Sequence, residues 1–436
     1  MDLQEHLRRN VKLAAPVMIG QLGHIMVSVA DTAMVGQVGV IPLAASTFAG
    51  TFFHVFMLFG IGVSYAITPL TAATDPTDQP QLLKYLQNGL LVNGILGVTM
   101  VLLSLAILPF LGYFGQEAPV AEAARGYLLI VSLSLFPVMI FQSFRQFSEG
   151  LSNTFIPMVV SITANLLNVL LNYLLIFGKF GFPEMGLNGA ALATLISRLV
   201  MAVLMILLSR KQWVGFSWSF DRMVLKRVVK LGVPSGMQYI FEVGAFATAA
   251  IMVGWLGAEQ LAAHQIALNL AAISYMAATG IAAAAQIRVA NQKGLNDIVT
   301  LRQAGYSCYL LTIVFMGFCG LMMVIFNYEL PSLYIGEESV RQIASSLLFI
   351  AAAFQISDGC QAVGLGILRG LTDVRIPTYV TFFAFFVLAI PGGYLLGFTF
   401  GLGVQGIWYA LLMGLTVGAI LHVWRFQLLT KRLMSR

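Results

Sequence analysis

Three carboxylic acids, Asp31, Glu242 and Asp358, interrupt stretches of sequence that are otherwise almost wholly apolar, while the other 15 of the 18 acidic residues fall in connections or termini. An ionised carboxylate at the centre of a bilayer costs at least about 2.5–3.5 kcal/mol, so it normally faces the interior of a helix bundle and has a partner there. A carboxylate held this way can be neutralised in turn by a proton, by Na+ or by an organic cation, which makes all three acids candidate Na+ ligands. The alternative is a protonated carboxyl hydrogen-bonded between packed helices. Asn or Ser could fill that role at less cost, which favours the cation-binding reading.

Polar neighbours accompany the acids. Asn165, Asn168 and Asn172 follow i, i+3, i+7 spacing and form one stripe on a helix. Gln21, His24, Ser28 and Asp31 do the same within an arc of about 80° at 100° per residue. At 1.5 Å rise per residue, Asp31, Asn172 and Thr194 can share one layer near the outer face, and Glu242 and Asp358 another, roughly 17 Å above the cytoplasmic edge. Polar stripes can be glue between helices, but a stripe aligned beside an acid points to a hydrated cation or proton pocket. Gln21, His24, Gln238 and Gln355 are the further candidate polar residues of a cavity. His24 could relay protons or simply pack. Arg198 is the odd base, one turn beyond Thr194 on the same face. It could neutralise an acid, meet a substrate or reach lipid headgroups.

Only a membrane can house these groups. The chain has 436 residues, of which 59% are hydrophobic and 10% charged, and its mean hydropathy is +0.87. A water-soluble domain carries about 25% charged residues, so this chain could not coat a folded surface. Twelve apolar stretches, near 11–38, 45–73, 88–112, 126–144, 156–178, 189–209, 231–257, 264–287, 305–327, 342–366, 376–399 and 405–424, are each long enough for a spanning helix. The expected fold is all-α and polytopic. No cleavable leader is expected, because the first apolar stretch is longer than a signal h-region. Cys308, Cys319 and Cys360 lie in apolar runs at spacings that match no metal or redox motif.

An even number of spans puts both termini on one side. That side carries 20 Lys and Arg, against three on the other (Arg125, Lys179 and Arg341), with Arg198 inside a span. The positive-inside rule then places both termini in the cytoplasm, and the expected location is the plasma (inner) membrane. The net charge of +6 is therefore a topology signal, and no nucleic acid is implied.

Displacing the chain on itself by 218 positions gives 13 identities over residues 9–49, where about three are expected by chance for such a composition. They include Pro16/Pro234, Gly36/Gly254 and Gly39/Gly257. A shift of 220 aligns Gly150-Leu151 with Gly370-Leu371 and Ile156-Pro157 with Ile376-Pro377. The expected organisation is two parallel six-helix repeats around a central cavity, 1–209 and 231–436, joined by the basic linker 210–230. Repeats of this kind are typical of transporters. Asp31 aligns with Ala249, Glu242 with His24 and Asp358 with Val138, so the halves should do different work.

No Walker motif, HExxH or serine-hydrolase elbow is present, and Gly401-Leu-Gly-Val-Gln-Gly406 follows an apolar helix rather than a strand, which removes its phosphate-binding context. An enzyme is not expected. Three intramembrane acids against one base favour cationic cargo, whereas the rival reading, a flippase for a lipid-linked saccharide or other amphipathic lipid, calls for basic residues in the cavity.

The segments "APVMIGQLGHIMVSVADTAMVGQVG" (first span), "GVPSGMQYIFEVGAFATAAIMVGWLG" (seventh) and "FQISDGCQAVGLGILRGLTD" (tenth) carry a resemblance to the multidrug and toxic compound extrusion (MATE) family, NorM type, over essentially the whole chain. The resemblance implies a secondary antiporter that exports amphipathic, mostly cationic compounds by alternating access, coupled to H+ or Na+ and needing no other cofactor. It makes Asp31 the coupling acid of the first half, with Asn168, Asn172 and Thr194 as partners, and Glu242 and Asp358 the acids of the second. Some Na+-coupled members have Tyr where this chain has Phe354, which removes one oxygen ligand. Small cationic amphiphiles and membrane lipid are the partners implied, and no obligatory protein partner is evident.

Overall fold

A computed structural model describes residues 3–435. It contains twelve helices long and apolar enough to span a bilayer. In chain order they are α1 (Leu3–Val38), α2 (Val40–Ala72), α3 (Gln79–Phe114), α4 (Ala118–Gly150), α5 (Phe155–Phe177), α6 (Gly186–Gln212), α7 (Arg222–Leu256), α8 (Ala258–Gly294), α9 (Ile298–Ile325), α10 (Glu338–Gly370), α11 (Arg375–Thr399) and α12 (Gly403–Met434). There is no strand among the described residues. Side chains such as Leu102, Leu166, Val203 and Phe318 are left exposed on helix surfaces. In water this would be an aggregation liability, and in a bilayer it is the ordinary solvent-facing surface.

The duplication is visible in local geometry. A single glycine separates α1 from α2 and α7 from α8. Gly39 (φ 149°) and Gly257 (φ 126°) both occupy the positive-φ region that side chains disfavour, which is why this position is Gly in both halves. The turns after α4 and α10 match as well. Ser152 (φ 62°) and Thr372 (φ 61°) close them in left-handed geometry, each N–H bonding the carbonyl three residues back at 2.8 Å. Asp78 caps α3 by accepting from the Gln81 N–H at 3.2 Å, and Asp297 caps α9 from the Thr300 N–H at 3.0 Å. The Gly401–Gly406 segment forms the turn into α12 and the start of that helix, with Gly401 and Gly403 at positive φ.

The chain divides into two compact units: Ile19–Gly236, and the residues up to Met18 together with those from Met237 onward. The boundaries fall inside α1 and α7, 218 positions apart, which is the repeat offset. The start of each of these helices therefore belongs with the other half's helices. In the second-half unit the start of α1 packs so tightly on α8 that a Cβ on Gly280 would lie 2.3 Å from Met18 Cγ. In the first-half unit a Cβ on the equivalent Gly62 would lie 2.6 Å from Gly236 Cα. Small residues at such crossings let backbones approach.

Each unit has its own core. The first-half core gathers Phe53, Met57, Met100, Leu128, Leu135 and Ile176. The second-half core centres on Trp408, Phe354 and Phe385, with the Trp408 indole donating to His264 Nδ1 at 3.0 Å.

Candidate functional site

In the first-half unit, helices α1, α2, α4, α5 and α6 line an open cavity of about 400 Å³. His24, Ser28 and Asp31 from α1 line it, as do Asn165 and Asn168 from α5 and Thr194, Ser197 and Arg198 from α6. The asparagine stripe faces Asp31 as its spacing implied. The Asn172 amide donates a hydrogen bond to Asp31 Oδ1 and reaches Asn168 Oδ1 at 3.2 Å. Asn168 in turn donates to Ser197 Oγ at 3.1 Å and to Thr194 Oγ1 at 3.5 Å. A carboxylate oxygen in a spanning helix is thus tied through two amides to two hydroxyls. Such a network is worth keeping only if its members stay satisfied. The Oδ1 of Asn172 is buried and accepts no hydrogen bond, leaving one oxygen beside the carboxylate unspent.

Gln21 is half-buried on α1 and does not line this cavity. Tyr127 of α4 and Ser46, Thr47, Thr51 and His54 of α2 do line it, and sequence reasoning missed them. The α2 group had a readable signal in the 47, 51, 54 spacing of one helix face. His54 donates through Nδ1 to the Gly50 carbonyl at 2.6 Å. Tyr127 had no signal in the sequence. It lies within electrostatic reach of both Asp31 and Arg198.

In the second-half unit, Glu242 of α7 accepts from the Tyr275 hydroxyl of α8 at 2.7 Å. Asp358 of α10 is buried and lies within electrostatic reach of both Glu242 and Tyr275, so the two acids do meet in one neighbourhood. Tyr275, the donor to Glu242, was invisible in the sequence, one aromatic in a run of small residues. Gln238 and Gln355 are fully buried. Gln238 is engaged in packing: it accepts from Arg369 Nη2 at 2.9 Å and donates to Thr378 Oγ1 at 3.0 Å. Gln355 donates to Met323 Sδ at 3.6 Å, and its own oxygen accepts nothing. Phe354 is buried against Phe246 and Trp408.

Among the described residues no three His, Cys, Asp or Glu side chains cluster as a transition-metal site would require. The donors present are carboxylate, amide and hydroxyl oxygens, the set that suits a proton, a hard cation or an ammonium group.

Comparison with known proteins gives a consistent result. The MatE family model matches residues 16–174 and 234–395, two stretches that begin one repeat offset apart. The probable multidrug resistance protein NorM of Rhizobium meliloti (strain 1021) is 34% identical over 99% of this chain and 95% of its own length. The multidrug resistance protein NorM of Photobacterium profundum is 31% identical over 98% and 96%. Among solved structures, a multidrug resistance MATE family transporter of the MOP superfamily, in an outward-facing conformation, superposes with a TM-score of 0.91 at 19% identity. It covers 99% of this chain and 97% of that one, and the likeness is one of fold.

Proposed function

Since the chain belongs to the MatE family, a family of secondary transporters rather than enzymes, we propose that it is a multidrug exporter that exchanges amphipathic, mostly cationic compounds for H+ or Na+ by alternating access. The observation that supports this reading best is the Asp31–Asn172 hydrogen bond at the wall of a polar cavity within a spanning bundle. Desolvation disfavours a bare carboxylate, and any nearby cation restores its charge. Proton, Na+ and a cationic compound therefore compete for one negative site.

Binding of the coupling ion expels the compound, and the protein then returns empty of cargo. A differential affinity of a few kcal/mol between the two conformations is enough to drive the exchange. Asn168, Asn172 and Thr194 orient the acid and supply neutral oxygens. Glu242, held by the Tyr275 hydroxyl, and the buried Asp358 form a second cation-binding group with a distinct role. Both termini lie in the cytoplasm, and the membrane is the inner membrane.

The test is efflux of a cationic dye from proteoliposomes under an imposed Na+ gradient and, separately, a pH gradient. Uphill efflux by the unaltered protein and none by Asp31→Asn is the expected result. Full uphill efflux by that variant would remove Asp31 from the mechanism.

A further inference from the structure

The basic linker carries more than charge. Four aromatic residues, Trp213, Phe216, Trp218 and Phe220, follow one another between α6 and α7. Their rings form a continuous ladder that starts on Phe144 of α4, with successive centroids 5.7, 5.8, 5.2 and 6.2 Å apart. Trp213 and Phe216 are half-buried, but Trp218 and Phe220 are 64% and 65% exposed. The Trp213 indole donates to Ser209 Oγ at 3.3 Å, whereas among the described residues the Trp218 indole has no acceptor.

Three side chains of α3 hold the ladder in place. Gln79 donates to the Gln212 carbonyl at 3.3 Å, Gln87 donates to the Ser217 carbonyl, and Asn88 accepts from the Asp221 N–H at 3.3 Å. Aromatic rings fixed in this way are costly to present to water. Leu207 and Leu208, at the end of α6, are both exposed, so the lipid-facing surface of the span leads directly into the linker. Arg210, Lys211, Arg222, Lys226, Arg227 and Lys230 are exposed along it, and none forms an ion pair among the described residues. Asp221, the one acid between them, faces Lys84 at 4.0 Å.

Aromatic rings of this kind sit at the headgroup level of a bilayer, where an apolar body and a polar edge are both satisfied. Clustered bases beside a span match the negative charge of acidic phospholipids. We propose that residues 210–230 form a docking surface for acidic phospholipid. Trp218 and Phe220 insert at the headgroup level of the adjacent leaflet, and the exposed bases gather anionic headgroups around them. This inference rests on the spans and the linker, not on the export reading. With the linker cytoplasmic, the leaflet is the cytoplasmic one.

The test is quenching of Trp218 fluorescence by phospholipid that carries a nitroxide near the top of its acyl chain. The full chain is placed in phosphatidylcholine nanodiscs doped with nitroxide-labelled phosphatidylglycerol or nitroxide-labelled phosphatidylcholine. Subtracting the emission of Trp218→Phe isolates the one ring. Nanodiscs present both leaflets alike, so the result does not depend on orientation. Both lipids should quench Trp218, and phosphatidylglycerol should do so at about one-fifth of the mole fraction or less, the preference that a single base confers at an anionic surface. That preference should vanish in about 0.5 M KCl, which screens headgroup charge. It should also shrink in the quadruple variant R222Q/K226Q/R227Q/K230Q.

Quenching by neither lipid overturns the proposal, because the rings then stand in water or await a protein. Equal quenching by the two lipids at low salt overturns it as well, since the bases then recognise nothing. A preference for phosphatidylglycerol that survives the salt, or that persists undiminished in a monodisperse quadruple variant, places recognition elsewhere and refutes the docking surface. The salt measurement uses the unaltered protein and decides the question even where the quadruple variant does not fold.

Discussion

Asn172 on α5 donates its side-chain hydrogen bond to Asp31 on α1, 141 positions away in the chain. The second lone-pair acceptor of this pair, the Asn172 oxygen, is buried without a donor. An acid, an amide and an unspent oxygen therefore meet at one point of the membrane interior.

Asn172→Ala keeps the Asp31 carboxyl and removes both its donor and the spare oxygen. Uphill efflux of a cationic dye should fall at least several-fold, with less effect on folded yield than on rate. Loss of a hydrogen bond to a charged group is worth about 1.5–3 kcal/mol. Rates equal to those of the unaltered protein would show that the amide is only a packing group.

Tyr275→Phe leaves Glu242 without its 2.7 Å donor while preserving the ring. Dye affinity measured by fluorescence titration should weaken by about tenfold, in line with an interaction of about 1.5 kcal/mol. Glu242→Gln should weaken cation binding further, because it removes the charge itself. If both variants bind as the unaltered protein does, this acid takes no part in cation recognition.

The two equivalent glycine crossings should respond unequally to substitution. A Cβ on Gly62 meets Gly236 Cα at 2.6 Å and the Ser235 carbonyl at 2.8 Å, both backbone. The closest atom to a Cβ on Gly280 is the side-chain Met18 Cγ, with the backbone atoms, the Ala14 carbonyl oxygen and the Met18 nitrogen, farther off at 3.0 Å. Overpacking typically costs about 1–3 kcal/mol, and a side chain gives way more easily than backbone. Gly62→Ala should lower the Tm in detergent by more than Gly280→Ala does. The reverse order would contradict the packing described for these crossings.

The start of α1 is fastened by Arg288 of α8, which donates to the His6 carbonyl at 2.9 Å and to Asn10 Oδ1 at 2.6 Å, while Asn10 donates to Ser307 Oγ at 2.9 Å. Arg288→Met removes the first two bonds and leaves buried acceptors unpaired, a change that costs about 1–3 kcal/mol for each group. Amide hydrogen exchange over residues 3–14 should accelerate at least tenfold. Unchanged protection there would show that apolar packing alone holds this segment.

The proposed orientation is open to a direct chemical test. A cysteine at Lys179 should react with an impermeant maleimide added outside intact cells, and one at Lys211 only after the membrane is opened. These positions lie in the connections after α5 and at the end of α6. The opposite labelling pattern would invert the topology.

The sequence by itself determined the twelve spans, the duplication and the positions of the three acids within the spans, because these follow from composition and from periodicity along one helix. It also aimed the asparagine stripe correctly, since i, i+3, i+7 spacing decides which side chains share a face. Tertiary structure alone decided which faces meet. Tyr275 became the partner of Glu242, and Tyr127 came to line the cavity of Asp31, only through tertiary packing, and Arg198 acquired its hydroxyl, thioether and ring neighbours the same way.

The exchange of helix starts at Met18 and Gly236 was equally hidden, although the repeat located both positions. A continuous α-helix has the same local pattern whichever bundle it joins. Its membership is set by the close approach of Gly62 to Gly236 and of Gly280 to Met18, a matter of shape between segments far apart in the chain.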